Sequence, residues 1–231
     1  MILRFIKTHV FCVVFCCHII VPQASAQQDS TLWVVKPADV IPPVSLALAG
    51  LITQGKISRH FQEKTVAKYP SFHSSLDDYL LYAPAAVSLG LASAGVKGKH
   101  SLGDQVILAI LSNIISQGVT QSLKLIVRYP RPDRQDYYSF PSGHTTSAFT
   151  NATILHEEYG ERSVLYSIGG YGTATAVGSM RILNNRHWLA DVLMVAGIGI
   201  GATKALYISY PWLQKTVRKI KHKNPAELKS N

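Results

Sequence analysis

The chain has 231 residues, 47% hydrophobic and 16% charged, with 23 Lys and Arg against 13 Asp and Glu. That length holds one domain or two small ones, while the charge is too scarce for an ordinary soluble domain, where about 25% is usual, and for a disordered chain. A net charge of +10 could suit nucleic acid, but a mean hydropathy of +0.13 and long apolar runs make a membrane the expected partner instead. Cys12, Cys16 and Cys17 are the only cysteines, so the rest of the chain has neither a disulfide framework nor a thiolate metal site.

The first segment carries Arg4 and Lys7, an apolar stretch from Val10 to Val21, and then Ala24-Ser25-Ala26. These three parts predict a secretory signal peptide over residues 1–26, cleaved after Ala26. Residues 27–78 follow as a segment outside the membrane or at its interface. Within it Val40–Gln54 contains Pro42-Pro43 and, at 15 residues, is short for a span, so an interfacial helix is expected. Lys56–Asp78 reads as a polar connector of helical character.

Five apolar stretches then predict crossings: Tyr79–Val96, Gln105–Val127, Thr145–Tyr159, Ser163–Met180 and Trp188–Tyr210. A crossing takes about 20 mostly apolar residues. The second and fifth qualify easily, whereas the third and fourth must bury polar ends in a bundle. Gly170, Ala174 and Gly178 lie four apart, as do Gly197 and Gly201, a spacing that lets helix backbones approach closely in lipid. The fold class expected is all-α, a membrane-embedded helical bundle over residues 79–214 with a basic tail over 215–231. The tail's Lys215, Arg218, Lys219, Lys221, Lys223 and Lys229 face one acid, Glu227, which places it in the cytoplasm. Counting back puts Arg181–His187 and Tyr129–Pro141 outside, together with the chain start that a cleaved leader leaves. Lys56, Arg59, Lys64 and Lys68 also fall outside, where anionic head groups could meet them.

Three clusters lie in or beside the outward loops. Lys124 and Arg131 are seven apart, two helical turns, although Pro130 and Pro132 predict that the helix ends nearby. Pro141-Ser142-Gly143-His144 enters an apolar helix, and such an entry presents free backbone N–H groups and a positive dipole end to an anion. Arg181 precedes His187 and Asp191, which are four apart and share a face, so the carboxylate can hold the imidazole in one tautomer. Each cluster alone reads equally as a snorkelling anchor or a helix cap. Together, three cations, two histidines and an Asp gather at one membrane level. Polar groups there are costly unless function retains them, and three cations suit a dianionic or polyanionic ligand.

The ordered set KxxxxxxRP, PSGH and RxxxxxHxxxD over Lys124–Asp191 resembles the signature of the type 2 phosphatidic acid phosphatase family, in its membrane lipid phosphatase branch. One departure is Met180, where the family usually has Ser before the arginine. The resemblance implies catalysis by His187 as nucleophile, His144 as acid and base, and Asp191 as the group that orients His187. It also implies phosphate binding by Lys124, Arg131, Ser142, Gly143 and Arg181, with no metal and no cofactor. His100 and His156 fall on the opposite side and read as structural; Arg128, Arg134 and Arg186 lie close enough to touch substrate.

The partners implied are the membrane and a lipid phosphate of the outer leaflet, with no nucleic acid and no obligatory protein partner. A bacterial inner-membrane enzyme facing the periplasm is expected, resembling those that trim lipid A, with the 4′-phosphate placed ahead of the 1-phosphate. Undecaprenyl diphosphate, phosphatidic acid and phosphatidylglycerophosphate are alternative substrates. The rival readings are a soluble periplasmic acid phosphatase, a vanadate-dependent haloperoxidase and a non-catalytic binder of anionic lipid.

Overall fold

A computed structural model describes residues 35–222; the expected leader and the end of the tail lie outside them. The described residues fold as eight helices without a strand: α1 Pro37–Thr53, α2 Lys56–Lys68, α3 Asp77–Leu80, α4 Ala83–Ser93, α5 Leu102–Val127, α6 Gly143–Tyr159, α7 Val164–Leu183 and α8 Leu189–His222. Local chemistry sets several boundaries. Ser101 caps α5 by accepting the Asp104 N–H at 3.2 Å, and Ser163 accepts from Leu165 N at the start of α7. At its other end α5 stops at Arg128, whose φ of 45° is left-handed, two residues before Pro130.

By length and hydropathy, α5 and α8 are the two described helices able to cross a bilayer, and α1 with α2 would add a third as one bent span. The expected third and fourth spans are helices α6 and α7, but neither is apolar enough by itself. Helix α6 sits inside the bundle and buries Thr145, Thr146, Thr150, Asn151 and Thr153. Its polar groups find partners on neighbouring elements: Thr146 with Thr120 at 2.9 Å, Thr150 donating to Ser116 at 2.8 Å, and Asn151 donating to the Leu81 carbonyl at 2.8 Å. Internal satisfaction of this kind lets a weakly apolar segment occupy the centre of the bundle.

Val40–Gln54 forms most of α1, which runs antiparallel along α8. Asp39 bonds Lys204 at one end of the pair, while Gly50 meets Met194 at the other. The backbones touch: a Cβ on Gly197 would stand 2.4 Å from the Pro43 carbonyl oxygen, and one on Gly50 would stand 2.7 Å from Met194 N. Small residues permit this approach. Helix α2 turns 83° away from α1. Helices α1, α5, α6, α7 and α8 run between the two ends of the bundle, and α3 with the short α4 carries the chain from Asp78 beside His144 to Val96 beside Tyr159.

Candidate functional site

The C-terminal ends of α5 and α7 and the N-terminal ends of α6 and α8 meet at one end of the bundle. This alternation follows from antiparallel packing, and it gathers Lys124, Ser142–His144, Arg181 and Asp191 from four helices. His187 stands in the loop between α7 and α8 and is buried, with 1% exposure. Helix α2 braces both sides of that loop. Gln62 donates to the Ile182 carbonyl at 3.0 Å and to Asn185 Oδ1 at 2.8 Å, while Ser58 Oγ accepts the Ala190 N–H at 3.0 Å. These bonds satisfy backbone groups that helix ends leave free.

Hydrogen bonding fixes the tautomer of His187. Nδ1 lies 2.7 Å from the Ser139 carbonyl, which can only accept, so Nδ1 carries the proton. Nε2 is therefore bare, and the Arg131 guanidinium donates to it from Nη1 at 3.4 Å. Burial pushes the His187 imidazole below its usual range; the Asp191 carboxylate opposes this, and Arg181 and Arg131 reinforce it. A neutral ring that keeps a lone pair on Nε2 has what a nucleophile needs without a base to deprotonate it.

Asp191 is buried at the start of α8, and its Oδ2 is 3.5 Å from His187 Nδ1. The nearer partners of Oδ2 are the Ser139 hydroxyl and the Trp188 N–H, the latter at 2.9 Å. Asp191 thus ties the Ser139 loop to the His187 loop, and Ser139 supplies the closer acceptor for the ring. Phe140–Pro141, next to Ser139, is a cis peptide.

Arg131 is held by Asp136, which accepts from its Nε at 2.7 Å, and by the Arg186 carbonyl at 3.2 Å. Against the cost of burial, the Tyr138 N–H and Arg131 hold the Asp136 carboxyl below its ordinary range. Lys124, in the last turn of α5, lies within electrostatic reach of Arg131, Asp136, Asp191 and Arg181. Arg181 donates from Nη1 to Asp77 at 2.7 Å, and its buried Nε has no partner. Ser142 is the N-cap residue of α6, yet its hydroxyl pairs with Thr145 Oγ1 at 3.0 Å and caps no backbone N–H. The first turn of α6 therefore keeps donors for an anion. A Cβ on Gly143 would meet nothing closer than 3.6 Å, so room alone does not require glycine there.

His144 pairs through Nε2 with Asp78 Oδ1 at 2.8 Å. Asp77, Asp78 and His144 bring ligand atoms within 4.8 Å of one another, the one grouping among the described residues that could hold a cation. Arg181 and His144 already engage both carboxylates, so the trio reads as an ion-pair brace. Arg186 contacts Asp133 and Gln135, and Arg128 turns the chain. His100 and His156 lie at the far end, bonded to Glu158 and Ser167. Sequence reasoning missed Ser139, Asp77, Asp78, Asp136 and Gln62. Ser139 and Asp136 sit close to motif residues, whereas Asp77 and Asp78 carry no local signal.

The profile of the PAP2 superfamily matches residues 105–215. Lipid A 1-phosphatase of Porphyromonas gingivalis is 36% identical over 156 residues, which are 67% of this chain and 35% of that protein. The chain thus spans about a third of that relative's length. A crystal structure described as the first transmembrane PAP2 type phosphatidylglycerolphosphate phosphatase, from Bacillus subtilis, aligns with a TM-score of 0.50 at 20% identity. The alignment covers 79% of this chain and 99% of that one. The crystal structure of LpxE from Aquifex aeolicus aligns with a TM-score of 0.45 at 24% identity, covering 61% and 90%.

Proposed function

The chain belongs to the PAP2 superfamily, and from that premise we propose that it is a membrane lipid phosphatase working through a phosphohistidine. The observation that carries this reading is the buried His187, with Nδ1–H given to a carbonyl and Nε2 left bare beside the Arg131 guanidinium. A phosphate placed between these groups meets a nucleophile and a charge clamp at once.

In the first step His187 Nε2 attacks phosphorus and the bond to the ester oxygen breaks. Arg131, Arg181 and Lys124, with the first-turn N–H groups of α6, balance the charge on the three equatorial oxygens. His144 gives its proton to the leaving oxygen. In the second step His144 takes a proton from water, the hydroxyl oxygen attacks phosphorus, and the P–N bond breaks to release inorganic phosphate. Asp191 and the Ser139 carbonyl hold the ring and stabilise the positive charge that phosphorylation puts on it.

The substrate we favour is lipid A. The 4′-over-1 order expected from sequence rests on no side chain of the site. The relative named a 1-phosphatase supports the 1-position instead. Orientation toward the periplasm is supported by the basic tail, which leaves α8 at the end opposite the site. To test the reading, lipid A is incubated with membranes holding the wild-type chain or His187→Ala, and products are read by mass spectrometry. Loss of the 1-phosphate with wild type alone is the expected result. Loss of the 4′-phosphate would change the position only, and no phosphate loss from any lipid ester would overturn the phosphatase reading.

A further inference from the structure

The segment joining Ser74 to Asp78 lies far from the motifs in sequence but is bound to both halves of the site. Asn184, three residues before His187, accepts the Ser74 N–H at 3.0 Å, donates to the Ser74 carbonyl at 2.7 Å, and reaches Asp77 at 3.4 Å. Asp77 is 1% exposed and carries the Arg181 ion pair. The next residue, Asp78, ends on His144 Nε2. A four-residue helix with no core of its own is thereby pinned to the loop that bears the nucleophile, and it presents one carboxylate to the proposed acid.

Resting on the phosphatase reading above, we infer that Asp78 is a positioning residue for His144: by accepting the Nε2–H at 2.8 Å it assigns Nδ1 as the nitrogen that gives the proton to the leaving oxygen and later takes one from water. The pair is half exposed, 37% for the His144 side chain and 52% for Asp78. Exposed ion pairs stabilise a fold by about 0–1 kcal/mol, so a purely structural role leaves little for this contact to do. Orientation needs no such energy, only a fixed acceptor on one ring nitrogen. The site then has two histidines of opposite polarity. His187 gives Nδ1–H to a carbonyl and works through Nε2, while His144 gives Nε2–H to a carboxylate and works through Nδ1. Asp77 from α3 and Arg181 from α7 are the other charged groups facing His144, and they neutralise each other.

The test uses the full chain in detergent micelles with two soluble esters. Dinitrophenyl phosphate expels a phenolate that needs no proton, whereas an alkyl phosphate expels an alkoxide that does. Asp78→Ala should cut alkyl phosphate turnover about 10- to 100-fold, a part of the roughly 10²–10⁴ that general acid–base catalysis supplies. The burst of dinitrophenolate should stay within about threefold of wild type, followed by slow turnover because water activation is also weakened. Asp78→Asn keeps an acceptor and should lose less than Asp78→Ala. The retained burst shows an intact site, which separates the effect from misfolding. Equal losses on both esters, or no loss on either, would overturn the assignment. A wild-type chain that hydrolyses neither ester, nor any lipid phosphate, overturns the phosphatase reading and this assignment with it.

Discussion

At the scale of single residues, the chemistry turns on which nitrogen is bare and which charge is paired. Burial lowers the proton affinity of His187, so the ring stays neutral below the pH at which a free histidine, near 6.5, becomes charged. The acid limb of kcat/KM, which reports the free enzyme, should therefore lie below about 6.5. The same shift links to stability. A histidine kept neutral by folding contributes fully above its unfolded pKa, and that contribution is lost as the pH falls below it. A pH series of kcat/KM on a soluble phosphate ester checks the limb; a midpoint above the ordinary histidine range would contradict it. A second prediction concerns Arg181 and Asp77, of which the carboxylate is buried. Arg181→Ala leaves that charge unpaired and should cost about 3–5 kcal/mol, read as a lower thermal midpoint. Arg181→Ala with Asp77→Ala removes both charges and should recover part of the loss, although activity stays absent.

At the scale of elements, hydropathy revealed α5 and α8 because each carries a long apolar window with few charges, although most of α5 faces outward and most of α8 is buried in the bundle. Their alternation also predicted that Lys124, His144, Arg181 and His187 would share one end. Helix α6 was legible in its bounds, Thr145–Tyr159 against Gly143–Tyr159, but not in how its threonines and Asn151 are satisfied, because neighbouring helices answer their hydrogen bonds. Helix α1 was legible as a helix short for a span, but its partner was not: Gly50, Gly197 and Gly201 let it pack closely and antiparallel against α8. Gly197 gives this packing a direct test. A leucine there would drive into Pro43 and Ala47, and overpacking of this kind costs about 1–3 kcal/mol or more. Gly197→Leu should lower the melting temperature in detergent, while Gly172→Leu, in open space on α7, should leave it near wild type.

At the scale of the whole molecule, the motifs of one third of the chain hold the residues proposed to react, but the supports come from the segment Ser58–Asp78, far ahead of them. Asp77, Asp78, Ser58 and Gln62 are 66 to 132 residues from the partners they hold, at a separation where no periodicity or spacing rule connects them. The end of the bundle at which residue 36 lies is set by the same kind of long-range contact. Five passes put residue 36 on the side of the site. The antiparallel packing of α1 on α8 puts it at the opposite end, beside the Asp39–Lys204 pair and on the same side as Arg162, whose guanidinium donates to Lys97 O. Because the chain lacks cysteine after Cys17, single labels can decide the question once Cys12, Cys16 and Cys17 are replaced by serine. In intact cells a membrane-impermeant maleimide should label Tyr137→Cys, at the site end, and spare Lys36→Cys and Arg162→Cys. Permeabilised cells should label all three. Labelling of Lys36→Cys together with Tyr137→Cys would mean that α1 does not traverse the bilayer, and that its contact with α8 is made from the same face as the site.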